Sequence, residues 1–179
     1  MAAVGQRQLL KIYKKNLERT MLQSATTLVL RNLRCKAIDP DFVKFDICEA
    51  TLDRRRRTSI SITARLLQLP VRNCYVSVTF GLTAGTNVPL FNGSWDGCAF
   101  LRNPRKYLAF NRMYNFLAPF TNINHTCPYN HDIILRNFTL WKVKPIMALP
   151  EASYKFSSRY LVGSKHRASV DVQIDLVND

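Results

Sequence analysis

The sequence predicts an all-β domain: an antiparallel sandwich or cup, with one amphipathic helix inserted between strands and a short helix at the N-terminus. Two observations carry that expectation. Several runs alternate apolar and polar side chains with a period of two, and turn residues separate them. Only the stretch between Cys98 and Cys127 has a strong apolar stripe at helical spacing. The 179 residues suffice for one domain with a real core. No internal repeat or low-complexity linker divides them, so the expected organisation is a basic amphipathic extension over residues 1–25 and a single sandwich domain over residues 26–179.

In the extension, Leu10, Tyr13, Leu17 and Met21 recur at helical spacing among Lys and Arg. It lacks the uninterrupted apolar core of a secretory leader. Glu18 and the scarcity of serine speak against a mitochondrial-type presequence, which leaves a surface helix or a frayed extension. Next come two β-rich runs, TTLVLRNLRC and DFVKFDICEATL, separated by the turn signal KAIDP. In the second, Val43, Phe45 and Ile47 alternate against Lys44, Asp46 and Cys48. The run Arg54–Arg57 follows, best placed at a hairpin tip where like charges spread into water. In TSISITARLLQLP, Ile60, Ile62, Ala64 and Leu66 share a face until Pro70.

Cys74, Val76, Val78, Phe80 and Leu82 share the apolar face of the next strand. Cys74 therefore reads as a buried free thiol acting as a small hydrophobe. TAGTN turns the chain into a short strand, VPLFNGSW. For the helix, Asn103 is the expected cap and Pro104 the first residue; Tyr107, Phe110, Tyr114 and Leu117 form its stripe with Met113 beside it, and Pro119 ends it. Packing on a sheet is the plainer role for that stripe, the wall of a ligand cavity the sharper one. Strands resume with DIILRNFTLWKVK. Then Tyr154, Phe156, Tyr160 and Val162 flank Ser158 on one face, and Ala168, Val170, Val172, Ile174 and Leu176 alternate with polar neighbours.

A formal net charge of +14 favours a polyanionic partner: nucleic acid, anionic lipid headgroups or sulfated glycans. Nucleic acid is disfavoured, because no aromatic-interleaved basic motif accompanies the charge. No apolar run approaches a membrane-spanning length. The stretch NINHTCPYNHDII offers His125, Cys127, His131 and Asp132 as metal ligands, but structural zinc sites draw paired ligands from two knuckles, and here one loop supplies them all. A catalytic cysteine needs an activating base and an orienting group, and Cys127 before Pro128 has neither signal. No metal, catalytic residue or cofactor is expected. Asn92, Asn124 and Asn137 open glycosylation sequons, of which roughly one or two would arise by chance. Five cysteines leave at least one unpaired in the chain, and four allow three pairings.

The stretches LRCKAIDPDFVKFDICEATLDR, LLQLPVRNCYV, LFNGSWDGCAFLRNPRK, NINHTCPYNHDIILRNFTL and LPEASYKFSSRY occur in that order. Together they resemble a large insect family of small secreted proteins of unknown function, related to the CheB-type chemosensory proteins. The likeness runs from about Leu30 to near the C-terminus. Through the Cys–helix–Cys-Pro-aromatic arrangement from Cys98 to Tyr129, the family in turn resembles a branch of the ML-type lipid-recognition fold, that of the lysosomal ganglioside activator.

The resemblance implies an ML- or immunoglobulin-like domain that is extracellular, non-enzymatic and hollow between its sheets. It implies bridges Cys35–Cys48 and Cys98–Cys127, with Cys74 outside the pattern. Family members open with a leader that this sequence does not show. A misassigned first exon is the preferred account, against an intracellular form whose bridges would stay reduced. The expected function is a secreted carrier or sensor of a lipid or other apolar small molecule, in a chemosensory setting. Phe80, Phe110, Tyr114, Phe156 and Tyr160 are the candidate lining residues, each of which could equally be ordinary core. The alternative is an extracellular interaction protein with a filled core that binds a receptor or polyanion through its basic surface.

Overall fold

The computed structural model describes residues 26–54, 57–83, 89–139 and 149–178. The helix expected in the N-terminal extension and the end of the strand expected to run to Pro145 lie outside these residues. Eight strands are seen among the described residues: β1 (Thr26–Ala37), β2 (Val43–Leu52), β3 (Thr58–Leu66), β4 (Tyr75–Leu82), β5 (Pro89–Asp96), β6 (Ile133–Thr139), β7 (Ala152–Val162) and β8 (Lys165–Asn178). They form two antiparallel sheets, ordered β1-β8-β7-β4-β5 and β2-β3-β6. The protein is an all-β sandwich with a small helical segment.

Period-two alternation decides which side chains meet between the sheets. In the larger sheet, Val76 pairs with Tyr160, Val78 with Ser158 and Phe80 with Phe156. The rows continue into β8, where Tyr160 pairs with Ala168, Ser158 with Val170 and Phe156 with Val172. In the smaller sheet, Val43 faces Leu66 and Phe45 faces Ala64.

One alternation does not hold through its strand. The register of β2 shifts between Phe45 and Ile47. The extra residue, Asp46, inverts the side-chain phase beyond it, as a bulge must. Ile47, expected on the inner face, is instead 41 % exposed. Cys48, expected among the polar positions, turns inward beside Ile62 and joins Cys35. A second shift, between Ile60 and Ile62 on β3, is taken up on β6 by Asn137 at φ 50°, a left-handed conformation that asparagine tolerates.

The helix also differs from expectation. It is three short pieces: α1 (Gly97–Arg102), a 3-10 turn (Pro104–Lys106) and α2 (Leu108–Leu117), followed by a second 3-10 turn (Ala118–Phe120) that contains Pro119. The side-chain cap is Asp96, whose carboxylate accepts from the Ala99 N–H at 2.9 Å. Asn103 makes no side-chain cap, and Pro104 opens the 3-10 turn rather than the main helix. Asn103 lies too near the end of α1, whose last carbonyls its backbone N–H caps, to begin a second α-helix.

The sandwich has two unlike seams. At one, β1 lies against β2 and the Cys35–Cys48 bridge pins them. At the other, the chain leaves β5, crosses through α1 and α2, and rejoins β6 by a bridge between Thr121 and Leu135. The Cys98–Cys127 bridge closes that excursion. One end of the sandwich is plugged by Phe42, Val43, Val71, Tyr129 and Ala168.

Candidate ligand cavity

Between the sheets lies a cavity of about 630 Å³ with an almost wholly apolar lining. Strand alternation supplies most of its walls: Ile60, Ile62, Ala64 and Leu66 from β3, and Val170, Val172, Ile174 and Leu176 from β8. The volume is within the usual range for small-molecule sites.

Of the candidate lining residues, Phe80, Tyr114, Phe156 and Tyr160 border this cavity and Phe110 does not. Phe110 is held between Trp95, stacked with centroids 4.4 Å apart, and Phe100, met edge-on at 4.6 Å. It anchors α2 to the end of β5. Gly93 makes that anchorage possible, because a Cβ there would come within 2.5 Å of the Trp95 ring. From α2, Tyr114 and Leu117 of the expected stripe, with Met113 beside it, do line the cavity, and Ala109, Arg112 and Phe116 join them. Arg112 is the member of this face that a search for apolar spacing passes over.

The hydroxyls of the lining are already engaged. The Tyr114 hydroxyl donates to the Ile123 carbonyl and the Tyr129 hydroxyl to that of His125. The Ser158 hydroxyl donates to the Val170 carbonyl or the Tyr160 hydroxyl, each 3.2 Å away. Burial pushes the phenols of Tyr114 and Tyr160 up, the Ser158 contact partly opposing it for Tyr160. Burial, then the nearby Tyr114 and Cys74, push Tyr129 up to about 12. Cys74 is half-buried and borders the cavity, and burial, reinforced by Asp96, raises its thiol to about 11. These groups stay neutral at physiological pH, so the interior selects by shape and desolvation.

The loop from Asn122 to Asp132 closes one end. Cys127 is bonded to Cys98, which takes its sulfur out of metal binding, and the Asp132 carboxylate accepts the Leu66 N–H at 3.0 Å. His125 and His131 meet through Nε2 atoms 3.0 Å apart, with their Nδ1 atoms against the carbonyls of Thr126 and Asp132. Among the described residues, no three His, Cys, Asp or Glu side chains group as metal ligands. Asn92, Asn124 and Asn137 are all exposed.

Fold and site together define a disulfide-bonded β-sandwich with an apolar cavity, bridged on one side by short helices. Residues 73–156 match the model of a family described as "Protein of unknown function (DUF1091)". The matched span begins just before β4 and ends within β7, so it contains the whole helical excursion and the Cys98–Cys127 bridge. No curated protein matches the chain. The two disulfides, and the absence among the described residues of a helix long and apolar enough to cross a membrane, are compatible with a small extracellular protein.

Proposed function

We propose that this protein is a secreted, non-catalytic carrier or sensor that holds one lipid or other apolar small molecule between its sheets. The cavity supports this reading through its size. Empty, its apolar walls would forgo the contacts that a close-packed interior makes. Water is a poor filling, since each buried molecule needs about three polar partners and the hydroxyls here are already engaged. An apolar guest satisfies the walls and costs them nothing in hydrogen bonds. Secretion is supported by the two bridges and the exposed sequons, and the chemosensory setting by resemblance alone.

Native mass spectrometry of the folded protein, followed by organic extraction, tests the proposal. A bound apolar molecule is expected. Refilling the extracted protein to about a hundredfold above Kd should add about 2.7 kcal/mol of stability, which raises Tm by roughly 5–10 °C at this chain length. A dry protein that melts identically before and after extraction would overturn it. That result would favour the second reading, a filled interaction domain that meets a receptor or polyanion through the surface responsible for the +14 charge.

A further inference from the structure

Among the described residues that line the cavity, only Ala109 and Arg112 are exposed, and they stand one turn apart on α2. This places the mouth of the cavity at that helix. From residue 97 to residue 131 the chain contains no Asp or Glu, while Arg102, Arg105, Lys106 and Arg112 are all exposed. The excursion that borders the mouth is therefore positive throughout. Two cations line the cavity itself, and they differ in commitment. Arg167 is paired with Asp39, donates to the Val162 carbonyl at 3.2 Å and lies over the Phe42 ring. Arg112 has no ion pair or hydrogen bond among the described residues, and its guanidinium stands where the apolar interior meets water.

We propose that the guest is a single-tailed amphiphile with an anionic head, its tail between the sheets and its head on Arg112. This rests on the carrier reading above and names the chemical class carried. At about 30 Å³ for each water-sized group, the cavity takes on the order of 20 non-hydrogen atoms. That is the size of one long acyl chain. An anion seated deeper would lose its hydration without meeting a free donor. At the rim it keeps part of its water and meets a planar fork that matches a carboxylate or phosphate in two parallel hydrogen bonds. The neighbouring cations raise the local concentration of such ligands.

The test uses palmitic acid, hexadecanol and monohexadecyl phosphate at neutral pH, with the wild-type protein and Arg112→Gln, whose melting curve checks folding. Acid and phosphate should bind the wild type about tenfold tighter than the alcohol, the size of one charge-assisted contact at a partly wet rim. Arg112→Gln should remove that gap, leave the alcohol's affinity unchanged, and Arg112→Lys should restore part of it. A gap for only one anion would name the head. If the three bind the wild type equally, or the gap survives Arg112→Gln, the head assignment fails while the carrier reading stands. If none of the three binds, the carrier reading fails with it.

Discussion

The two seams of the sandwich solve the same problem by different means. At the β1/β2 seam, strands approach directly, and a bulge turns Cys48 inward to meet Cys35. At the β5/β6 seam, a segment of short helices spans the gap, and α2 has no fully buried residue: Leu108 is 73 % exposed. The first seam is held by β1 packed directly on β2 and by the Cys35–Cys48 bridge, each strand being laddered into its own sheet. The second is held by a bridge, a few ring contacts and a turn against β6. An element with few buried contacts opens at low free energy. The difference teaches that one side of this cavity is wall and the other is door.

The largest effect should come from cutting each seam's bridge in turn. For cysteines 29 and 13 positions apart, the chain-entropy treatment gives similar losses, about 3.6 and about 3.0 kcal/mol. Each should lower Tm by roughly 10 °C. Ligand retention should separate them. Cys98→Ala with Cys127→Ala frees the helical excursion and should lose the bound molecule, whereas Cys35→Ala with Cys48→Ala leaves the ladders in place and should keep it. Equal loss of ligand from both, measured by extraction, would break the contrast.

A smaller effect should follow from loosening α2 without cutting a bond. Phe110→Ala removes the ring stacked on Trp95 and should cost about 1–2 kcal/mol at this half-buried position. Gly93→Val should displace Trp95 from below with a similar result. In stopped-flow displacement of a fluorescent fatty acid, both should speed dissociation several-fold. Unchanged off-rates would mean that α2 is wall after all.

Much of this was legible in the sequence, for reasons that particular residues show. The run from Ala168 to Leu176 alternates without a break, and the structure places its apolar members on one inner face. The interval from Cys98 to Cys127 showed its stripe. Three things were hidden. A bulge leaves no compositional mark, so simple alternation puts Ile47 and Cys48 on the wrong faces. The cap at Asp96 belongs to a helix too short to declare a period, so the helix start was placed at Asn103. The cavity-facing side of α2 includes an arginine, and patterns scored by apolarity pass over it. For the bulge and the arginine the deciding contact is distant in sequence: Cys48 with Cys35, Arg112 with the space between two sheets.

Cys74 reports on the cavity from inside. Its thiol is raised from 9.0 to about 11, so its thiolate fraction near neutral pH falls about a hundredfold. Alkylation should be correspondingly slow in the folded protein and fast on unfolding. The raised value also fixes a sign. The folded state keeps the proton that the unfolded state releases first, so the thiol's contribution to stability is present below pH 9 and lost as pH rises toward 11. Cys74→Ala should flatten the alkaline decline of Tm over that interval. An unchanged profile would show that the raised phenols of Tyr114, Tyr129 and Tyr160 govern the alkaline side.

The smallest effect tests the β1/β2 seam by a near-silence. If the alternation of Val43, Phe45 and Ile47 held, Ile47→Thr would put a hydroxyl into an apolar interior and cost about 1–3 kcal/mol. With the bulge at Asp46 the side chain is 41 % exposed on the outer face, and threonine is a good strand former there. The change should then stay within about 0.5 kcal/mol, the range of ordinary surface substitutions. Phe45→Thr, two positions earlier and before the bulge, should cost several times more, because Phe45 borders the cavity. Comparable losses at both sites in urea unfolding would remove the bulge, and with it the means by which Cys48 faces Cys35.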